Sequence, residues 1–136
     1  MHEILFRGKR FDNSRWVYGY LSFIYVDGKN QDGFIYTNKA QIYSQEDCRS
    51  YDVLTETVGQ FTGLTDKNGT KIFEHDIIKF CDDDGEKSYY KIEWNSYKWI
   101  AIDEDGNVDD LDKFLCDMSA VAGNIFDNPE LLGGES

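Results

Sequence analysis

Five dipeptides punctuate the chain: Asp27-Gly28, Asp32-Gly33, Asn68-Gly69, Asp84-Gly85 and Asp105-Gly106. A two-residue hairpin turn of type I′ needs positive φ at both central positions, which Asn or Asp followed by Gly supplies cheaply. The stretches around these turns are rich in β-branched and aromatic residues: 16–26, 34–37, 58–61, 71–73, 76–81, and then 88–95 and 98–103 on either side of Ser96-Tyr97. Tyr90, Ile92 and Trp94 alternate with Tyr89, Lys91 and Glu93, the two-residue period of a strand with one buried face, and Ile100 and Ile102 share a face of the next. With a single proline in 136 residues, the pattern predicts a mainly β, antiparallel protein.

Helix is scarce. Residues 109–118 place Leu111, Phe114, Leu115 and Met118 on one helical face, with acids in the first turn where the helix dipole favours them. Asn128, Pro129 and Gly133-Gly134 are cap, first position and stop of a closing helical turn. Residues 41–49 fit strand and short helix equally. A division is expected within residues 52–57, giving a β-rich portion over 1–55 and a second over 56–136. The core of the second should draw on Val58, Phe61, Leu64, Ile72, Ile78, Phe80, Ile92, Trp94, Ile100, Val121 and Ile125.

The formal net charge is −12, and it is unevenly placed. Residues 1–81 carry 11 acidic and 10 basic side chains, net −1, whereas residues 82–136 carry 15 and 4, net −11. A pI near 4.4 disfavours duplex nucleic acid and anionic membranes, because phosphate binding draws on Lys and Arg releasing counterions. The acids either solubilise the surface, or meet a basic partner or mimic DNA. Aromatic residues at 15% argue against a disordered chain. Cys48, Cys81 and Cys116 are odd in number and far apart, which reads as reduced, buried thiols in a cytoplasmic protein. The start MHEILFRGKR predicts no signal peptide, and the longest near-apolar run, residues 20–26, is far short of a membrane span.

No cofactor or metal site is expected. The Asp-rich turns invite an EF-hand reading, but centring the loop on Gly85, Gly106 or Gly69 puts Phe80, Ala101 or Leu64 where the first carboxylate is needed. Glu74-His75-Asp76 looks like a metal or acid–base triplet, yet neighbouring residues on a strand point to opposite faces, so the reading is a turn. Phosphate-binding glycine motifs and a nucleophile elbow are absent from the sequence, and no catalytic residue is assigned. The first 16 residues interleave Arg7, Lys9, Arg10 and Arg15 with Phe6, Phe11 and Trp16. That mixture suits single-stranded nucleic acid, bound by phosphate contact and base stacking, and equally suits a half-buried strand with its cations in water.

Three segments resemble YopX-like proteins. Ile4-Leu5-Phe6-Arg7-Gly8-Lys9-Arg10 with Trp16-Val17-Tyr18-Gly19-Tyr20-Leu21 is similar to the family's opening. Residues 57–69, TVGQFTGLTDKNG, followed by Ile72-Phe73-Glu74-His75-Asp76-Ile77-Ile78, resemble its central signature, and residues 123–132, GNIFDNPELL, its closing motif. The resemblance implies a protein encoded by a phage or prophage, with an SH3-like β-barrel behind an N-terminal β-rich portion and one or two short helices. It carries no catalytic residues. It also implies glycine where this chain has His75, at a turn of unusual φ. The functional expectation is a non-enzymatic module that binds a host or phage protein, with a homo-oligomer left open. The docking acids are expected at two hairpin tips, Asp82, Asp83 and Asp84, and Asp103, Glu104 and Asp105, with Asp109, Asp110 and Asp112 at the start of the short helix. The alternative is a single-strand binder using Arg7, Lys9, Arg10, Arg15 and Trp16.

Overall fold

A computed structural model describes residues 4–30 and 33–133, and the side chains of these outside 23–39. The protein is mainly β, and it divides into two compact units, one ending at Gln60 and the other starting at Phe61.

The first unit contains β1 (Phe6–Lys9), β2 (Trp16–Asn30), β3 (Gly33–Ser44) and β4 (Arg49–Val53), antiparallel in the order β4-β3-β2-β1. A 3-10 turn over Thr55–Thr57 follows, and β5 (Gly59–Thr65) begins by pairing Gly59 and Gln60 with Arg7 and Phe6. The pleat sorts the residues by parity. Val17, Ala40, Ile42 and Val53 are buried on one face, with Phe6, Leu21, Tyr51 and Val58 packed against them. Arg7, Lys9, Trp16, Tyr18, Tyr20 and Tyr43 take the other face, as their registers require. Gly19 has no alternative on the core side, since a Cβ there would overlap the Tyr43 carbonyl oxygen.

The sheet departs from the expected turn plan at Asp27-Gly28. These residues pair with Tyr36 and Ile35 inside the β2–β3 ladder, which continues to Asn30↔Gly33. The hairpin is therefore longer than the dipeptide suggests, and Asp32 lies outside the described residues. Residues 41–44 are strand, and the chain turns at Gln45–Cys48 before β4. Cys48 is exposed in that turn rather than buried.

In the second unit, the rest of β5 pairs Phe61 and Thr65 with Phe73 and Lys71 of β6 (Lys71–Phe73). Then β7 (Asp76–Cys81), β8 (Lys87–Trp94), β9 (Trp99–Asp103) and β10 (Val108–Asp110) run as a meander, and β11 (Ser119–Asn124) returns beside β7. The order β10-β9-β8-β7-β11 is an open sheet; among the described residues no ladder joins β10 to β11, so the strands do not close into the expected barrel. The sheet does curl. Phe80 on β7 and Asp109 and Asp110 on β10, three strands away, line one cavity. A single helical turn, α1 (Lys113–Asp117), links the two edge strands.

Ile72, Ile78, Ile92, Ala101, Leu111, Leu115 and Cys116 form the buried core, with Leu64, Phe80, Tyr90, Trp99 and Val121 packed against it. Trp94, expected inside, is 47% exposed and meets Trp99 edge-on at 4.9 Å. The expected helix over 109–118 is shorter, because Asp109 and Asp110 belong to β10 and Asp112 is the N-cap, accepting from the Leu115 N–H at 2.9 Å. With five helical residues, only Leu115 and Cys116 face inward, and Phe114 is left 67% exposed. A 3-10 turn over Pro129–Leu132 closes the described chain, stopped by Gly133 at φ 72°. Asn128 does not cap it; its side chain accepts from the Asn124 N–H.

Candidate functional site

One turn design recurs three times in the second unit. Asp66, Asp82 and Asp103 each open a turn whose Oδ1 accepts two backbone N–H groups: Asn68 and Thr70, Asp84 and Glu86, Asp105 and Asn107. The fourth residue is Gly69, Gly85 or Gly106, at φ 82°, 82° and 89°. Each glycine N–H donates to the Asp carbonyl, and each Asp N–H donates to the carbonyl four residues on. These are type I turns followed by a left-handed glycine rather than type I′ turns, since Asn68, Asp84 and Asp105 are not at positive φ.

The design changes what the acids can do. Asp82 and Asp103 spend their carboxylates on their own turns, and the Asn107 backbone N–H holds the Asp103 carboxyl below the usual aspartate range. Asp83, Asp84, Glu104 and Asp105 are exposed at the tips. Consecutive antiparallel hairpins alternate ends, so the β7–β8 and β9–β10 turns lie at the same end of the sheet. The β7–β8 ladder reaches Cys81↔Lys87, whereas β8–β9 stops at Tyr90↔Asp103. Asp82 opens its turn opposite Glu86 and Asp103 opens its turn level with Tyr90, so the first tip projects about 13 Å beyond the second at the rise of an extended strand.

The third acidic group is not at that end. Asp109 and Asp110 descend the edge strand β10, where Asp110 pairs with Lys98 at 2.8 Å. Asp109, Asp110 and Asp112 line a cavity of about 380 Å³ with Phe80, Phe114 and Leu115. The nearby Tyr90 hydroxyl has its pKa raised by burial and by the charges of Asp109 and Asp103.

In the first unit the basic-aromatic residues are largely spoken for. Arg7 is buried, its guanidinium 4.5 Å from the Trp16 ring centre, with Lys9 over the same ring at 5.8 Å. Arg10 pairs with Asp12 at 2.7 Å and stacks on Tyr51 at 4.3 Å. Arg15 is exposed. Cations already stacked and paired within the protein have less to offer a phosphate chain.

A fourth cluster escapes the sequence reading. His75 sits in the β6–β7 turn at φ 74°, its N–H donating to the Ile92 carbonyl at 2.7 Å and its carbonyl accepting from the Ile125 N–H at 3.0 Å. The left-handed backbone breaks the up–down alternation expected of a strand, and His75 and Glu74 meet Glu93 of β8. His75 Nδ1 lies 3.3 Å from Glu93 Oε2, and Nε2 lies 3.9 Å from Glu74 Oε2. The signal available in the sequence was the family's expected glycine at this turn. The partner, Glu93, is 18 residues away and carries no local mark.

Among the described residues no helix is long and apolar enough to cross a membrane. Comparison with known proteins gives a consistent result. The family model described as YopX protein matches residues 5–133. The crystal structure of protein EF1440 from Enterococcus faecalis is similar, with a TM-score of 0.55 and 22% identity, covering 97% of this chain and 99% of that one. That likeness concerns the fold alone. No curated protein matches.

Proposed function

The chain belongs to the YopX protein family, and on that premise we propose that it is a non-catalytic phage or prophage accessory protein, which docks a basic protein partner in the bacterial cytoplasm. The observation that carries the reading is that the two Asp-Gly turns lie at the same end of the sheet, with Asp83, Asp84, Glu104 and Asp105 exposed at their tips. A patch of one sign steers an oppositely charged partner and raises its association rate more than its final affinity. The curled second unit is compatible with an SH3-like barrel whose edges have not zipped. Single-strand binding has less support, since Arg7 and Arg10 are already engaged within the first unit.

The test begins with affinity capture from a bacterial host and continues with association kinetics on the partner identified. Converting Asp83 and Asp84 to Asn, Glu104 to Gln and Asp105 to Asn should slow association on the order of tenfold at low salt. The difference should shrink at high salt, where screening shortens the field. An on-rate indifferent to both the substitutions and salt would remove the basis of the proposal, as would salt-sensitive capture of single-stranded oligonucleotides through Arg15.

A further inference from the structure

We infer that Glu74, His75 and Glu93 form a binding site for a divalent first-row transition-metal ion, Zn²⁺ foremost, independent of the docking role above. One ligand atom from each residue lies within 4.8 Å of the other two. The side chains are 25%, 17% and 27% exposed, so they are held by the fold and still reachable from water. The imidazole has little freedom. Its backbone is bonded on both sides, to Ile92 and Ile125, and the Phe126 ring meets it edge-on at 5.3 Å.

Direct pairing of the imidazole with the two carboxylates is loose. A charge-assisted hydrogen bond between imidazole and carboxylate draws the atoms to about 2.7–2.9 Å. The contact to Glu93 is 3.3 Å, and that to Glu74, at 3.9 Å, is no hydrogen bond. The two contacts use opposite ring nitrogens, of which one ion takes only one; ligand atoms about 2.0–2.2 Å from a tetrahedral zinc ion stand roughly 3.3–3.6 Å apart, so side-chain rotations that close the present separations, within 4.8 Å for one atom from each residue, bring the three donors onto one ion. Imidazole with carboxylate suits Zn²⁺ and its neighbours, whereas Ca²⁺ and Mg²⁺ take oxygen donors. Three protein ligands leave a coordination position for water.

The chain's two histidines, His2 and His75, make the test direct. The full chain is labelled with ¹⁵N-histidine, stripped with a chelator and titrated with ZnCl₂ by NMR and calorimetry. The expected result is one tight equivalent that moves the His75 ring resonances ahead of those of His2. His75→Gly and Glu93→Gln should each weaken that equivalent at least tenfold, while Asp82→Asn with Asp84→Asn leaves it unchanged. Because glycine is at ease in a left-handed turn, His75→Gly should remain folded, and Glu93→Gln keeps the side-chain volume. Unmoved His75 resonances after one equivalent, or an affinity that falls less than tenfold in both variants, would overturn the assignment.

Discussion

The Oδ2 of Asp66 accepts a hydrogen bond from the Val121 backbone N–H at 2.8 Å, joining residues 55 positions apart. Its Oδ1 simultaneously accepts from Asn68 and Thr70. One buried carboxylate thus builds the β5–β6 turn and fastens it to β11, with the Lys67 N–H to Ser119 carbonyl bond alongside. The other two turns of this design use their Asp locally; this one also carries a tertiary contact.

Asp66→Asn should therefore cost stability that Asp82→Asn does not. Hydrogen bonds to a buried charged acceptor contribute about 1.5–3 kcal/mol each, and an amide leaves one backbone donor facing an NH₂ group. A loss of about 2 kcal/mol is expected in urea unfolding, and equal midpoints for the two variants would show that the Val121 bond contributes nothing.

Gly19→Ala tests the packing of the first unit. The new methyl would overlap the Tyr43 carbonyl oxygen, a backbone atom that cannot rotate away. Overpacking against backbone costs about 3 kcal/mol or prevents folding. Gly85→Ala, by contrast, meets nothing within 4 Å and pays only for its positive φ, about 1 kcal/mol. Thermal melts of the two variants should separate in that order.

Burial pushes the Cys116 thiol up to about 11, with Asp112 and Asp117 adding to the effect. Cys48 is exposed. A thiol-specific reagent at pH 8 should modify Cys48 quickly and Cys116 only on unfolding. The linkage has a definite sign. The folded state prefers the neutral thiol, so this contribution is complete below the ordinary value of 9.0 and is lost as pH rises from there through about 11. Cys116→Ser should flatten the stability profile in that alkaline window, and an unchanged slope would contradict the burial argument.

His75→Gly in the presence of a chelator should raise stability by about 1 kcal/mol, since a side chain at φ 74° pays a left-handed penalty that glycine avoids. With Zn²⁺ present the ordering should reverse. The paired chemical denaturation curves separate the cost of the backbone from the benefit of the ligand.

Much of this molecule is legible in its residue order. The alternation from Tyr89 to Trp94 marks β8, the Gly at 69, 85 and 106 marks three turns, and Pro129 with Gly133 brackets the last one. These are local preferences, and they hold where neighbouring pairing agrees with them. Tertiary structure decided the rest. Asp27-Gly28 has the same turn chemistry as Asp84-Gly85, but the β2–β3 register carries it into the ladder, and a turn preference of a kcal/mol or so cannot outweigh so many cross-strand pairs. Phe114 obeys the helical period and still faces water, because a five-residue helix tied between two edge strands has one inward face to offer. Glu93 comes to His75 only because β8 passes the β6–β7 turn at that height. Sequence spacing states which residues can turn, pair or alternate; the ladder registers state which of them meet, and both the shared acidic end and the Glu74–His75–Glu93 cluster are products of register.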